Sequence, residues 1–474
     1  MGEQIWTLGA ADLAGRIAAK ELKSAEVVEA LLARIEAINP RVHAITAVLA
    51  DEALAAARSA DEAVVRGDPL GPLHGVPMTV KENIDVAGSA TTQGVVAMAQ
   101  AVPPVDAPHI AQLRAAGAIP FARTNLPDFG LRWHTDNDLH GPTKNAWDPS
   151  LTPGGSSGGE AVALATGMSP LGMGNDLGGS LRWPSQCAGT AALKTTFGRV
   201  PFASAIPPED MPPSLQFMAV EGPMARRVRD LRLAYRSMCG PDARDPWYIP
   251  APLDVPPPGR PLRIAVTADP AGRGVDADVA EGVGAAATAL REAGHEVVDA
   301  EPPAIDEGCD LWAAIVRNEV QFALFPMLEP ILGRDGRAFL EHVFKWEGVP
   351  ALDLPAYVMV WAQRQNLARR WEQFFEQYDL VLGPVSCAKP FPVGRDLESP
   401  DAVMEILENL RLVVTVNLLG LPAAVVAAGM GGGLPRAVQC IGPRYHESRC
   451  LDAAEAIEER LGVLTPIDPR GDAV

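Results

Sequence analysis

Aromatic residues are scarce in this chain, 5% of its 474 positions, and charged residues make up only 21%, against 47% hydrophobic. So apolar a composition leaves ample material for a large buried core. Positive charge is also short: Lys and Arg number 40 against 59 Asp and Glu, a formal net charge of −19. Such a surface repels polyanions, so nucleic acid is not an expected partner. The six cysteines (Cys187, Cys239, Cys309, Cys387, Cys440, Cys450) are scattered, with no C-x-x-C pair for zinc or dithiol redox work. They read as buried thiols of a reduced, cytoplasmic protein. The opening MGEQIWTLGA lacks both a basic and an apolar region of a secretory signal. The longest apolar stretch, LVVTVNLLGLPAAVVAAGM, is broken by Thr415, Asn417, Gly420 and Pro422. It reads as two buried strands around a turn and not as a membrane span. These absences predict a soluble cytoplasmic protein with no membrane partner.

What is present alternates. The first sixty or so residues read as helical: SAEVVEALLARIEAI offers Ser24 as N-cap and Val27, Val28, Leu31, Leu32 and Ile35 on one face. MTVKENIDV has the β-branched content of a strand. HIAQLRAAG followed by AIPFART reads as helix, glycine stop and strand, and GVGAAATALREAGHEVVDAEPP repeats the unit after RIAVTAD. Helices alternating with short apolar strands predict an α/β architecture with helices packed on a sheet. Proline-rich breaks at 206–213 and 250–261 read as surface loops of one large domain.

Several serines lie in nucleophile-like settings. GGSSG fits the G-x-S-x-G elbow with Ser156 or Ser157, and His295, His342 and His446 are possible bases for a Ser-His-Asp α/β-hydrolase. The elbow needs a strand directly before it, however, and NAWDPSLTP carries two prolines and no alternation. SCAK at 386–389 fits S-x-x-K, but that pair needs a helix, which Pro390 and Pro392 oppose.

Three further segments occur in order: GVPMTVKENIDV with Lys81, TPGGSSGGEAVALATG, and GNDLGGSLRWP. Together they closely resemble the amidase signature family, departing from its usual wording at Asn175, where serine or threonine is commoner. The resemblance extends through TDNDLHGPTKNAWDP, EGPMARRVRDL, YDLVLGPV, NLLGLPAAVV and GLPRAVQCIGPRYHE, nearly to the end of the chain. It implies a single domain with a central twisted mixed β-sheet covered on both faces by α-helices. Within it, a helical N-terminal region would span about 1–65, a catalytic core about 66–240, and a substrate-pocket and remaining sheet region about 241–474.

The resemblance assigns Ser180 as nucleophile, Ser156 as bridging serine in a cis Gly155–Ser156 peptide, and Lys81 as base. A serine hydroxyl needs a base, and lysine serves only when neutral, whereas arginine stays protonated. A hydroxyl accepts one hydrogen bond while donating another, so Ser156 can relay a proton from Ser180 to Lys81. Backbone N–H groups of Leu177, Gly178, Gly179 and Ser180 would form the oxyanion hole. Asp176 would brace that loop, with Ser157 and Arg182 as supporting groups; in some relatives the arginine contacts an acidic substrate. FGLRWHTD aligns with an acyl-pocket stretch, which makes Leu131, Trp133 and also Trp183 pocket candidates. No metal or organic cofactor is implied. The implied substrates are small amides, with esters, anilides and carbamates as extensions, and both monomer and homodimer stay open. The alternative family role is the glutamine-hydrolysing A subunit of a tRNA-dependent amidotransferase, which carries an aspartate seven residues before the asparagine of N-L-x-G-L-P. Counting back from Asn417 gives Leu410.

Overall fold

Among the residues described by the computed structural model (4–206, 211–256, 258–346 and 348–471), eleven strands join in one sheet. They are β1 (Ile45–Val48), β2 (Pro77–Lys81), β3 (Ile119–Thr124), β4 (Leu171–Asp176), β5 (Ala191–Lys194), β6 (Val220–Ala225), β7 (Arg263–Val266), β8 (Glu296–Asp299), β9 (Leu380–Pro384), β10 (Ala423–Gly431) and β11 (Leu434–Ile441). The spatial order is β1-β3-β2-β4-β6-β5-β10-β11-β9-β7-β8. β3, β2 and β4 run parallel, as do β9, β7 and β8, while the strands between pair antiparallel.

Side chains alternate across this sheet as the two-residue strand period requires. Ile264, Leu380, Leu382, Ala424 and Val426 enter one core, with the Ser24–Val42, Val228–Met238, Ala277–Glu292 and Glu447–Leu461 helices. Ala265, Val381, Ala423 and Val425 enter the other, with the Arg182–Ala188, Ile305–Glu319 and Arg411–Leu419 helices. Both faces are therefore covered, and the central strands read as near-continuous apolar runs. This is the single α/β domain that the alternation predicts. The strands flanking both proline-rich segments lie in this same sheet, so neither segment separates two sheets. Residues 207–210 and 257 of those segments lie outside the described residues.

Three local expectations are corrected. Residues 412–430 are not two strands: the Arg411–Leu419 helix ends at Gly420, whose φ of +65° closes it, and β10 follows. All nine helical residues are buried, so no polar face marks the helix, and packing overrides the strand preference of its valines. The N-terminal helices are interrupted by β1, which pairs with β3. Ser24 is the first helical residue and not its cap. Asp61 accepts from the backbone N–H groups of Ser24 at 2.6 Å and Ala25 at 3.1 Å, and the Ser24 hydroxyl donates to Gly75 O. A carboxylate from a neighbouring helix thus does the capping. Among the described residues, no helix is long and apolar enough to cross a membrane.

Candidate active site

Parallel neighbours β2 and β4 end at the same edge of the sheet, the edge where open α/β sheets bind ligands. Lys81 is the last residue of β2, and Asn175 and Asp176 are the last of β4. Lys81 is fully buried; its Nζ lies 2.7 Å from Ser156 Oγ and donates to Asn175 Oδ1 at 2.8 Å. Burial brings its pKa down to about 7, against the opposing pull of Glu221, Asp176 and Glu160. Glu221, directly opposite Asn175 on β6, is itself raised by burial to about 8, with Lys81 and an Asn175 hydrogen bond opposing. Near neutral pH the amine and this carboxyl therefore both sit close to their uncharged forms, the arrangement that a dry interior favours.

The serine-rich segment is packed backbone. The Gly155–Ser156 peptide is cis, and a Cβ at Gly155 would lie 2.5 Å from Arg132 O and 2.7 Å from His134 N. No side chain fits there, which lets the loop drop onto the 132–134 segment and carry Ser156 to Lys81. Ser157, fully buried, starts the Gly158–Ala165 helix by accepting from Ala161 N–H. Its hydroxyl has no partner among the described residues.

Ser180 shares a cavity with Ser156, and no hydrogen bond joins it to Ser156 or Lys81 among the described residues. Its loop is held by two indoles: Trp312 Nε1 donates to Leu177 O at 3.0 Å and Trp133 Nε1 to Gly178 O at 2.9 Å. In a trans peptide the N–H points opposite the C=O, so these bonds also fix where the Gly178 and Gly179 N–H groups point. The Gly179 N–H donates to Asp176 Oδ1 at 2.8 Å. That donor of the four in the sequence-based oxyanion set is therefore engaged, leaving Leu177, Gly178 and Ser180. Gly179 has φ +100°, a conformation that side chains disfavour.

Asp176 also accepts from the N–H of Leu181 and from Asn417 Nδ2, and pairs with Arg182 at 3.0 Å. Burial alone would raise its carboxyl; Arg182 first, then Lys194 and Asn417, hold it well below the usual carboxylate range. Arg182 is fully buried and its remaining nitrogens reach Gln439, Val413 O and Asn417. It braces the loop and is not part of the lining of the cavity that holds Ser156 and Ser180. Arg182→Met should strand Asp176 as an unpaired buried charge, lowering the unfolding free energy by about 3–5 kcal/mol in a denaturant titration.

The cavity, of about 220 Å³, is mostly apolar. Leu131 and Trp133 line it; Trp133 lies 6.0 Å, edge to face, from Phe339 and 6.4 Å from Trp312. Trp183 does not. It stacks on Phe391 at 5.9 Å, donates to Trp133 O, and lines a separate cavity with Leu410. Sequence reasoning missed Trp312, Phe339 and Glu221. The first two are isolated aromatics on distant helices, and Glu221 is visible only through its strand register with Asn175.

The other serine settings fall apart. His295, His342 and His446 bond to backbone atoms of Leu262, Leu397 and Arg444. Lys389 is exposed and paired with Asp276 and Asp278, in a stretch without helix.

The chain is 41% identical to an indoleacetamide hydrolase of Bradyrhizobium diazoefficiens, over 97% of this chain and 88% of that one. It is 34% identical to the A subunit of a glutamyl-tRNA(Gln) amidotransferase from Salinispora arenicola, over 97% and 98% of the two chains. Among solved structures it resembles a bacterial aryl acylamidase of the amidase signature family, with a TM-score of 0.82, 25% identity, and 96% and 97% of the two chains covered. It also resembles a 6-aminohexanoate cyclic dimer hydrolase, with a TM-score of 0.80, 26% identity, and 97% and 98% covered. The Amidase family model matches residues 26–451. The chain belongs to the amidase family, among the amidase signature hydrolases, and is an amide-hydrolysing enzyme.

Proposed function

We propose that this enzyme hydrolyses small arylacetamides, with Ser180 as nucleophile and Ser156 and Lys81 as its proton relay. The reading rests on one juxtaposition: an aromatic-walled cavity of about 220 Å³ that contains both serines and abuts a buried, hydrogen-bonded lysine. The ring of the acyl group lies against Trp133, Trp312 and Phe339, and its amide carbonyl points at Ser180. Ser180 Oγ attacks the carbonyl carbon while its proton passes to Ser156, whose own proton passes to neutral Lys81. Catalytic hydrogen bonds of this kind tighten when substrate arrives, so a serine rotamer change completes the chain. The oxygen of the tetrahedral intermediate takes the free N–H groups of Leu177, Gly178 and Ser180. The proton returns through Ser156 to the nitrogen, the C–N bond breaks, and ammonia leaves. Water then attacks the acyl-enzyme along the same relay and releases the arylacetic acid.

The 41% identical indoleacetamide hydrolase supports this substrate class. The amidotransferase role has a relative nearly as extensive, yet Leu410, at the position counted for the glutamine-binding carboxylate, is buried and apolar. Ammonia release should be measured from indole-3-acetamide, phenylacetamide and glutamine, beside p-nitroacetanilide, an aryl ester and a urethane. The arylacetamides should exceed glutamine in kcat/KM by at least about tenfold, because Leu410 leaves no carboxylate at the position counted for the glutamine amino group. Glutaminase activity without arylacetamide turnover would reverse the assignment.

A further inference from the structure

Arg317 lines the same cavity and is 6% exposed. Its Nη2 donates to Phe344 O at 2.8 Å, whereas Nε and Nη1 are buried without an acceptor among the described residues. No carboxylate among the described residues lies within ion-pair distance of it, while Arg132, on the same cavity, is paired with Asp396 and Asp335, and Arg182 with Asp176. Trp346, two residues beyond Phe344, also lines the cavity, and its indole N–H likewise has no acceptor among the described residues. Val316, Val320, Leu324 and Leu328 line the cavity as well. A buried guanidinium in an apolar wall is costly unless an anion meets it.

We infer that Arg317, with Trp346 beside it, forms a subsite for a carboxylate on the acyl part of the substrate. The guanidinium fork matches a carboxylate with two parallel hydrogen bonds, and the indole N–H adds a third donor. Trp312, which holds the Ser180 loop, and Arg317 both stand on the Ile305–Glu319 helix and both line the cavity. The preferred substrates are then arylacetamides that carry a carboxylate on the ring. This inference rests on the arylacetamidase reading and narrows it.

The test compares 4-carboxyphenylacetamide with 4-methylphenylacetamide, and measures calorimetric binding of 4-carboxyphenylacetate. The wild-type protein should favour the carboxylate by at least about tenfold in kcat/KM, chiefly through KM. Arg317→Met should reduce that ratio, and weaken 4-carboxyphenylacetate binding, by at least about tenfold, with Arg317→Lys intermediate. Circular dichroism checks the fold, and Arg317→Gln replaces Arg317→Met if the latter is unfolded. Absence of a wild-type preference, or binding indifferent to Arg317, overturns the subsite. If neither amide turns over but binding still depends on Arg317, the subsite stands and the arylacetamidase reading falls.

Discussion

Ser180→Ala is expected to lower kcat by at least about ten-thousandfold, the scale on which removing a covalent nucleophile acts. The loss should fall on kcat, because KM reports an aromatic cavity that the substitution leaves in place. Residual turnover would come from the free N–H groups of the glycine loop and from positioning of the amide. A chemical readout separates loss of the nucleophile from a disturbed loop: an aryl sulfonyl fluoride should add one covalent mass to the wild type, located at Ser180, and none to the variant. Ser156→Ala should still be labelled, but slowly, since the nucleophile survives without its relay. Label on Ser156 or Ser157, or a Ser180→Ala variant within tenfold of wild type, would move the nucleophile elsewhere.

That experiment probes the part of the site most legible in the sequence. Lys81, Ser156 and Ser180 sit in contiguous motifs whose glycines have local reasons, such as the backbone of residues 132–134 pressed against Gly155. Helix and strand alternation likewise conveyed the α/β sheet, because each unit carries its own period and glycine stop. What could not be read was whatever depends on distant segments meeting. The Arg411–Leu419 helix is buried all round and so lacks a polar face. Asp61 caps a helix that begins 37 residues earlier. Trp183 is next to the Ser180 motif in sequence yet faces another cavity, whereas Trp312, 132 residues after Ser180, holds the Ser180 loop. Adjacency in the chain misled here, and only tertiary packing identifies the side chains that wall the cavity.

Activity should also depend steeply on pH, because the proposed base works only when deprotonated. With Lys81 brought down to about 7, log kcat/KM should fall with unit slope below pH 7 and flatten above it. The sign follows from burial: it destabilises the ammonium, so the neutral amine gains as pH rises through 7. Glu221 opposes this only when ionised, and burial keeps it protonated up to about 8, so Glu221→Gln should leave the acid limb below pH 7 in place. Lys81→Arg should abolish the limb together with most of the activity, by about a hundred- to ten-thousandfold, since a guanidinium keeps its proton throughout the accessible range. Lys81→Met should lose as much, because no other described group bonds Ser156 Oγ in position to take its proton. A pH profile flat from 5 to 8 in the wild type, or a Lys81→Arg variant that retains the wild-type limb, would mean that the proton leaves Ser180 by another route.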